Sequence, residues 1–229
     1  MIDSLIAVAA ITGTVGIYAA AVYIYKKFNS PFTIPVIIAT VIIIAILLAF
    51  QIPYEIYMRG GEWIDHMLGP AIVALAYPVY QRRKILKKLL VPILSGTMLG
   101  AAVGVSTGVL LAKWSGVDQL IIHSLAPKSV TTPVAMAITD TLGGATPLAA
   151  VFVMIAGIGG VLISSTVMKC FRIHHPIGRG VGMGSASHAI GTATIMELDQ
   201  LAGSVSTIAM VVSAVVVSVI TPGLVAVLM

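Results

Sequence analysis

Apolar residues run along this chain in blocks, separated by short polar or basic breaks. Residues 4–25, 32–51, 63–80, 89–112, 145–168 and 202–227 each approach the roughly 20 apolar residues that carry a helix across the hydrocarbon core. They predict six full membrane spans. The second has Pro31 and Pro35 in its first turns, where a missing N–H costs little, and the third carries Pro70 and Pro78. The first block lacks a basic leader and a small-residue cleavage site, so it reads as a transmembrane helix rather than a removed signal. Two further segments, 117–144 and 180–198, are apolar yet interrupted by proline, glycine, hydroxyl and charged side chains.

Composition fixes the solvent. Hydrophobic residues make up 59% of the 229 and charged residues 9%, against roughly 45–50% and about 25% in soluble domains. That much apolar side chain has to face lipid. The net charge of +5 does not point to nucleic acid, because the basic residues cluster between apolar runs and the aromatic ones are scattered. Arg82, Arg83, Lys84, Lys87 and Lys88 form one such cluster, Lys169, Arg172 and Arg179 another, and Lys26 with Lys27 a third. The excess of basic residues on cytoplasmic loops puts these inside, and the acidic loop of Glu55, Arg59, Glu62 and Asp65 outside. The expected protein is a multi-pass protein of the cell (inner or plasma) membrane with its N-terminus outside. Glu197 and Asp199 read as outer-surface charges. The single Cys170 excludes an internal disulfide and reads as a helix-end residue.

Threading the spans leaves 117–144 starting and finishing on the outer side, so it cannot be a simple crossing. A re-entrant hairpin is expected, broken between Pro127 and Pro133. The fold class is thus all-α, a single transmembrane domain over 1–229 with interrupted, re-entrant half-helices. Three segments, "LGPAIVALAYP", "TTPVAMAITDTLGG" and "SASHAIGTATIMEL", each precede a small-residue-rich span. They suggest an inverted repeat, about 1–113 against 117–229, and paired interrupted segments mark a transporter's binding site. Gly96, Gly100, Gly104, Gly108 and Ala112 recur at i+4 and form a bare helix ridge, and Ala156, Gly160 and Ser164 a shorter one. Such ridges serve either close internal helix contacts or a homodimer seam.

The interrupted segments hold the candidate chemistry. In "KSVTTP", Thr132 is placed to cap a half-helix with Pro133 at its first position, and Gly143-Gly144 to end it. A helix N-terminus carries roughly +0.5 charge and favours anions. Lys128 adds a full positive charge, and Ser129, Thr131 and Thr132 add hydroxyls. Together they suit a carboxylate. In "GMGSASHAIGTATIMEL", Ser185 or Ser187 can cap a second half-helix with His188 in its first turn and Thr192 one turn on. Gly180, Gly182 and Gly184 would allow unwound backbone. An ionisable side chain within a membrane segment costs ~2.5–3.5 kcal/mol and points to function. The bland alternatives are a structural histidine bonded between helices and a lysine snorkelling to the interface.

Enzyme chemistry is not expected. The glycines do not fit G-x-x-x-x-G-K-[ST], and H-E-x-x-H is absent. Ser187 beside His188 is no triad, since sequence neighbours rarely face each other. No cofactor or metal is implied, the five histidines being dispersed.

"LGPAIVALAYPVYQ" (68–81), "LAPKSVTTPVAM" (125–136) and "GSASHAIGTA" (184–193), in this order and spacing, resemble the signatures of the LrgB/CidB family. The likeness in length and span order covers essentially the whole chain. It implies two different roles. Bacterial members are described as antiholin-like proteins linked to murein hydrolase control and cell lysis, with a small LrgA/CidA-type holin-like membrane partner. The plastid relative is a glycolate/glycerate translocator, and bacterial members are associated with pyruvate transport. A small monocarboxylate agrees with the reading of Lys128 and the two half-helix N-termini; the antiholin role has no counterpart in the residues. A transporter of small carboxylates, surrounded by membrane lipid and assembled as a homodimer, is the expected protein.

Overall fold

Without water in the hydrocarbon core, every segment must satisfy its own backbone N–H and C=O groups, and a helix does so locally. The computed structural model describes residues 2–28, 33, 35–74 and 76–229, and every regular element among them is helical. The chain is an all-α, multi-pass membrane protein. Among the described residues four helices are long and apolar enough to cross a membrane: α1 (Ile2–Phe28), α7 (Leu90–Trp114), α10 (Thr146–Cys170) and α12 (Gln200–Leu228). A shorter apolar helix is α2 (Pro35–Ala49); Pro31 and residue 32, the expected start of that span, lie outside the described residues. By Cα proximity the chain forms two units, Met1–Ala74 and Leu75–Met229.

In the first unit α1 packs on α2 and on α3 (Tyr54–His66), and α4 (Leu68–Ala74) follows. Gly60 lets α3 meet the α1 backbone: a Cβ there would stand 2.7 Å from that of Ala10. The Thr14 and Tyr57 hydroxyls lie 3.0 Å apart, beside a largely apolar cavity of about 530 Å³.

The expected third span, 63–80, is not one helix. Helix α3 stops at His66, and the chain resumes as α4 and then α5 (Ala76–Gln81) and α6 (Arg83–Lys88). Pro70 explains the break at residue 67: it lacks an N–H and sits in the first turn of α4, the one place where no internal donor is needed. Leu75, between α4 and α5, lies outside the described residues.

In the second unit α7 and α12 run parallel. Ile93 packs with Val205 near their first ends, Ala101, Val105 and Val109 with Val217 and Val225 further along, and Lys113 Nζ donates to the Leu228 and Met229 oxygens at 2.7 and 3.1 Å. Between them in sequence come α8 (Gln119–Leu125), α9 (Thr132–Thr141), α10 and α11 (Pro176–Leu198). Asp118 caps α8 by accepting from Leu120 N at 2.9 Å. The chain breaks at 126–131, and α9 ends in a Schellman turn: Gly144 N donates to Thr139 O, Gly143 N to Asp140 O, with Gly143 at φ +72°. Ala145 N then reaches back to Ser124 Oγ at 2.8 Å. Residues 124 and 145 meet, so the chain between them goes out and returns.

Helix α11 doubles back as well. Gly180 packs on Ala202 and Val205, while Met196 packs on Gly203. A straight helix would hold residues 180 and 196 about 24 Å apart, yet both touch adjacent residues of α12. The reversal is at His188, whose φ of 40° and ψ of −130° are non-helical. The second arm therefore ends where the first began. Arg82 donates to Gln200 Oε1 at 3.4 Å, which puts Glu197 and Asp199 at the end of the basic 82–88 run. The two acidic residues thus stand beside the basic run that was expected on the side opposite to theirs. The Asp199 carboxylate instead caps α12, accepting from Leu201 N and Ala202 N at 2.8 and 3.1 Å.

Candidate functional site at the hairpin turns

The glycine ridge of α7 is where the two hairpins come together. A Cβ built on Gly96 would meet Val181, one on Gly100 would stand 3.3 Å from Ser185 Oγ, and one on Gly104 3.6 Å from Ser129 Oγ. On Gly108 it would collide with Lys128 Nζ. The ridge thus serves internal contacts, from the first arm of α11 at one end and the 126–131 turn at the other. Ser129 and Ser185 sit over consecutive turns of α7, about 6 Å apart along its axis.

Lys128 occupies the seat that the missing Gly108 side chain leaves. Its Nζ donates to Gly104 O at 3.1 Å, and this is its one hydrogen bond among the described residues. An ammonium has three donors and here spends one on a neutral carbonyl. The flanking Ser129 and Val130 are buried, so the charge stands at the edge of the core rather than in bulk water.

The start of α9 lies four residues on. Thr131, rather than the expected Thr132, is the N-cap; Thr132 opens the helix and Pro133 follows. The Thr131 side chain makes no capping bond. The first N–H groups of α9 therefore lack the usual side-chain acceptor. Thr131 and Thr132 are half-buried and Pro133 is exposed.

The other expected residues divide between two seams. His188 Nε2 lies 3.0 Å from Val153 O in α10, with its ring over Gly157. Ser187 fits against Gly160, and its buried Oγ has no hydrogen-bond partner. His188 is the reversal residue itself, not a member of a first turn; its ring closes on Gly157, and Ser187 beside it closes on Gly160. Thr192 faces α12, its Oγ1 2.8 Å from Ser206 Oγ in a buried pair. The structure thus brings Lys128, Ser129 and Ser185 onto α7, while Ser187 and His188 meet α10 and Thr192 meets α12.

The expected unwinding at Gly180, Gly182 and Gly184 is also corrected. All three are helical. A Cβ on Gly180 or Gly184 would strike the α12 backbone at Ala202 or Ser206, whereas Gly182 has nothing within 4 Å. Two of these glycines allow close helix approach rather than a loose backbone. Cys170 ends α10 and is exposed. Among the described residues no three His, Cys, Asp or Glu side chains stand together as metal ligands would.

Two participants escape sequence reasoning. Gly104 O and Val153 O are main-chain acceptors, invisible in a side-chain motif. The i+4 glycines did signal a bare face, but not which side chain fills it.

Residues 14–227 match the LrgB-like family. The chain belongs to the LrgB-like family. It is 44% identical over 222 residues to the uncharacterized protein YxaC of Bacillus subtilis (strain 168), covering 97% of this chain and 96% of YxaC. It is 35% identical to the holin-like protein CidB of Staphylococcus epidermidis (strain RP62A), over 98% of both chains. The holin-like protein CidB of Staphylococcus aureus (strain N315) is also 35% identical, over 93% of each. No solved structure matches. The matched range includes α7 and both interrupted segments.

Proposed function

We propose that this protein carries small monocarboxylates of the glycolate, glycerate, pyruvate or lactate type across the cell membrane. The observation that carries the reading is Lys128 Nζ, seated against bare α7 backbone with Gly104 O as its one partner. A substrate carboxylate approaches this ammonium and the uncapped start of α9, and its hydroxyl or keto oxygen faces Ser129 and Ser185. Thr131, Thr132 and Pro133 belong to that start of α9, and the proposal keeps Ser187, His188 and Thr192, which meet α10 and α12, as the wider surroundings beyond the α7 group. The proposal includes two hairpins that enter the membrane from opposite sides, an inverted repeat and a homodimer. A three-carbon acid has few atoms and binds with at most ~1.5 kcal/mol for each heavy atom. Weak, reversible binding suits a carrier.

The second reading is a regulator of a holin-like LrgA/CidA-type partner, acting on murein hydrolase activity and lysis. It rests on the name holin-like protein carried by relatives at 35% identity, and the comparisons support it more directly than they support transport. Uptake of labelled pyruvate and glycolate by the purified protein alone in liposomes separates the two. The carrier reading expects saturable uptake, abolished or greatly slowed by Lys128→Ala with membrane insertion intact. If the parent protein moves neither acid, and an effect on lysis appears only with the partner, the regulator reading replaces it.

A further inference from the structure

The basic run at 82–88 is more than a topological signal. Gln81, Arg82, Arg83, Lys84 and Ile85 line a cavity of about 510 Å³ at the α5–α6 junction. Its scaffold is fixed. Leu86 is 3% exposed and packs with Ile93 and Val205, pinning α6 to the bundle. The Arg83 guanidinium lies 4.0 Å from the Tyr80 ring centroid and donates to Tyr80 O at 3.1 Å. Arg82 is held by Gln200 at the start of α12. Each guanidinium thus spends one N–H on the protein and presents the rest of its fork. Among the described residues neither makes an ion pair with a carboxylate. A pre-organised pair of such forks with a lysine beside them matches phosphate oxygens.

Apolar side chains stand exposed next to this charge: Tyr77 at 65%, Tyr80 at 62%, Ile85 at 45% and Val91 at 76%. A soluble phosphate uses only the cavity. An amphiphile uses both, with its headgroup among the arginines and its chain along the tyrosines, which suit the membrane interface. We propose that this cavity is a binding site for the phosphate headgroup of an anionic glycerophospholipid of the cytoplasmic leaflet. Through the Arg82–Gln200 contact the lipid then braces the first turn of α12, the helix against which both arms of α11 pack. Basic pockets on the cytoplasmic side of membrane helices are the general setting for such recognition.

The test uses the full-length protein in neutral detergent, titrated with phosphatidylglycerol or with phosphatidylcholine of the same acyl chains. Bound lipid is counted by native mass spectrometry and stabilisation is read by thermal unfolding. Phosphatidylglycerol binds preferentially, and Arg82→Ala/Arg83→Ala/Lys84→Ala weakens it on the order of 100-fold, from about fivefold per charge. Lys26→Ala/Lys27→Ala/Lys169→Ala removes equal charge elsewhere and leaves the preference intact. Arg82→Lys/Arg83→Lys keeps charge and fold while losing the forks, and binds several-fold more weakly than the parent. Equal affinity for the two lipids overturns the proposal, as does equal loss in the two triple variants or undiminished binding in the lysine variant. Competition by inorganic phosphate or a polyglutamate peptide at lipid-like concentrations reassigns the cavity to a soluble anion or an acidic protein segment, and the lipid assignment falls.

Discussion

Replacing His188 by glycine and by alanine gives a test of the reversal in α11 that does not depend on any transport assay. Both variants lose the Nε2 contact with Val153 O and the ring packing on Gly157, so those losses largely cancel when the two are compared. What remains is the backbone. At φ 40° and ψ −130° an L side chain is strained by about 1–3 kcal/mol, and glycine is not. Against this, glycine's unfolded chain is freer by about 0.4–1 kcal/mol. The balance favours His188→Gly over His188→Ala by up to about 2.5 kcal/mol, with a mid-range value of about 1.3 kcal/mol. Were residue 188 inside a continuous helix, the order would invert, with alanine better by about 1 kcal/mol. For a chain of this size each kcal/mol moves the midpoint by about 2–4 °C. Thermal unfolding of the two purified variants side by side therefore reads the sign directly. A higher midpoint for His188→Ala refutes the hairpin, and with it the account of how Ser185 and Ser187 reach their partners.

Gly108→Ala places a methyl where Lys128 Nζ now sits. The helix gains up to ~1 kcal/mol in propensity and the ammonium is displaced from Gly104 O, so stability stays near that of the parent. Loss of a charged hydrogen bond to substrate, about 1.5–3 kcal/mol, should raise the half-saturating concentration for uptake about 10- to 100-fold. Gly182→Ala, which meets nothing within 4 Å, should leave uptake unchanged; unaltered uptake in Gly108→Ala would detach Lys128's seat from function. In cysteine-labelling experiments on intact cells, Asp118→Cys and Gly144→Cys should react from one face and Asp199→Cys from the opposite one, the face of Arg82. Labelling of Asp199→Cys from the same face as Asp118→Cys would contradict the doubling back of α11.

Much of this protein follows from local properties of its sequence. Hydropathy over a window is enough to assign α1, α7, α10 and α12, because each must satisfy its backbone within itself; it does not foresee that 63–80 is broken at residue 67. A proline ends or opens a helix through an N–H it lacks, and Gly143 terminates α9 through a φ that it alone tolerates cheaply. The break between α8 and α9 was legible in Pro127 and Pro133 for the same reason, and Lys128 stood out because a charge in an apolar segment is costly. A break beside His188 was legible in Ser185 and Ser187 as caps, but the reversal it makes was not. No proline marks it, and its unfavourable backbone angles are held by the contacts of His188 with Gly157 and Val153 O and of Ser187 with Gly160, all on α10. Those groups lie about 30 residues away in sequence. The same holds for the α7 ridge. Its i+4 glycines announce a bare face, yet whether that face receives another subunit or a lysine from the following turn depends on how the chain comes back to it. Thr192 shows the limit from the other side: it shares a segment with the candidate residues, but the fold turns it to Ser206. Sequence alone determined which segments are helical and where polar groups interrupt them, since both are set by energies within a few turns. Only the tertiary structure decided which polar groups meet, because that depends on the non-local packing of helices that have each already satisfied their own backbones.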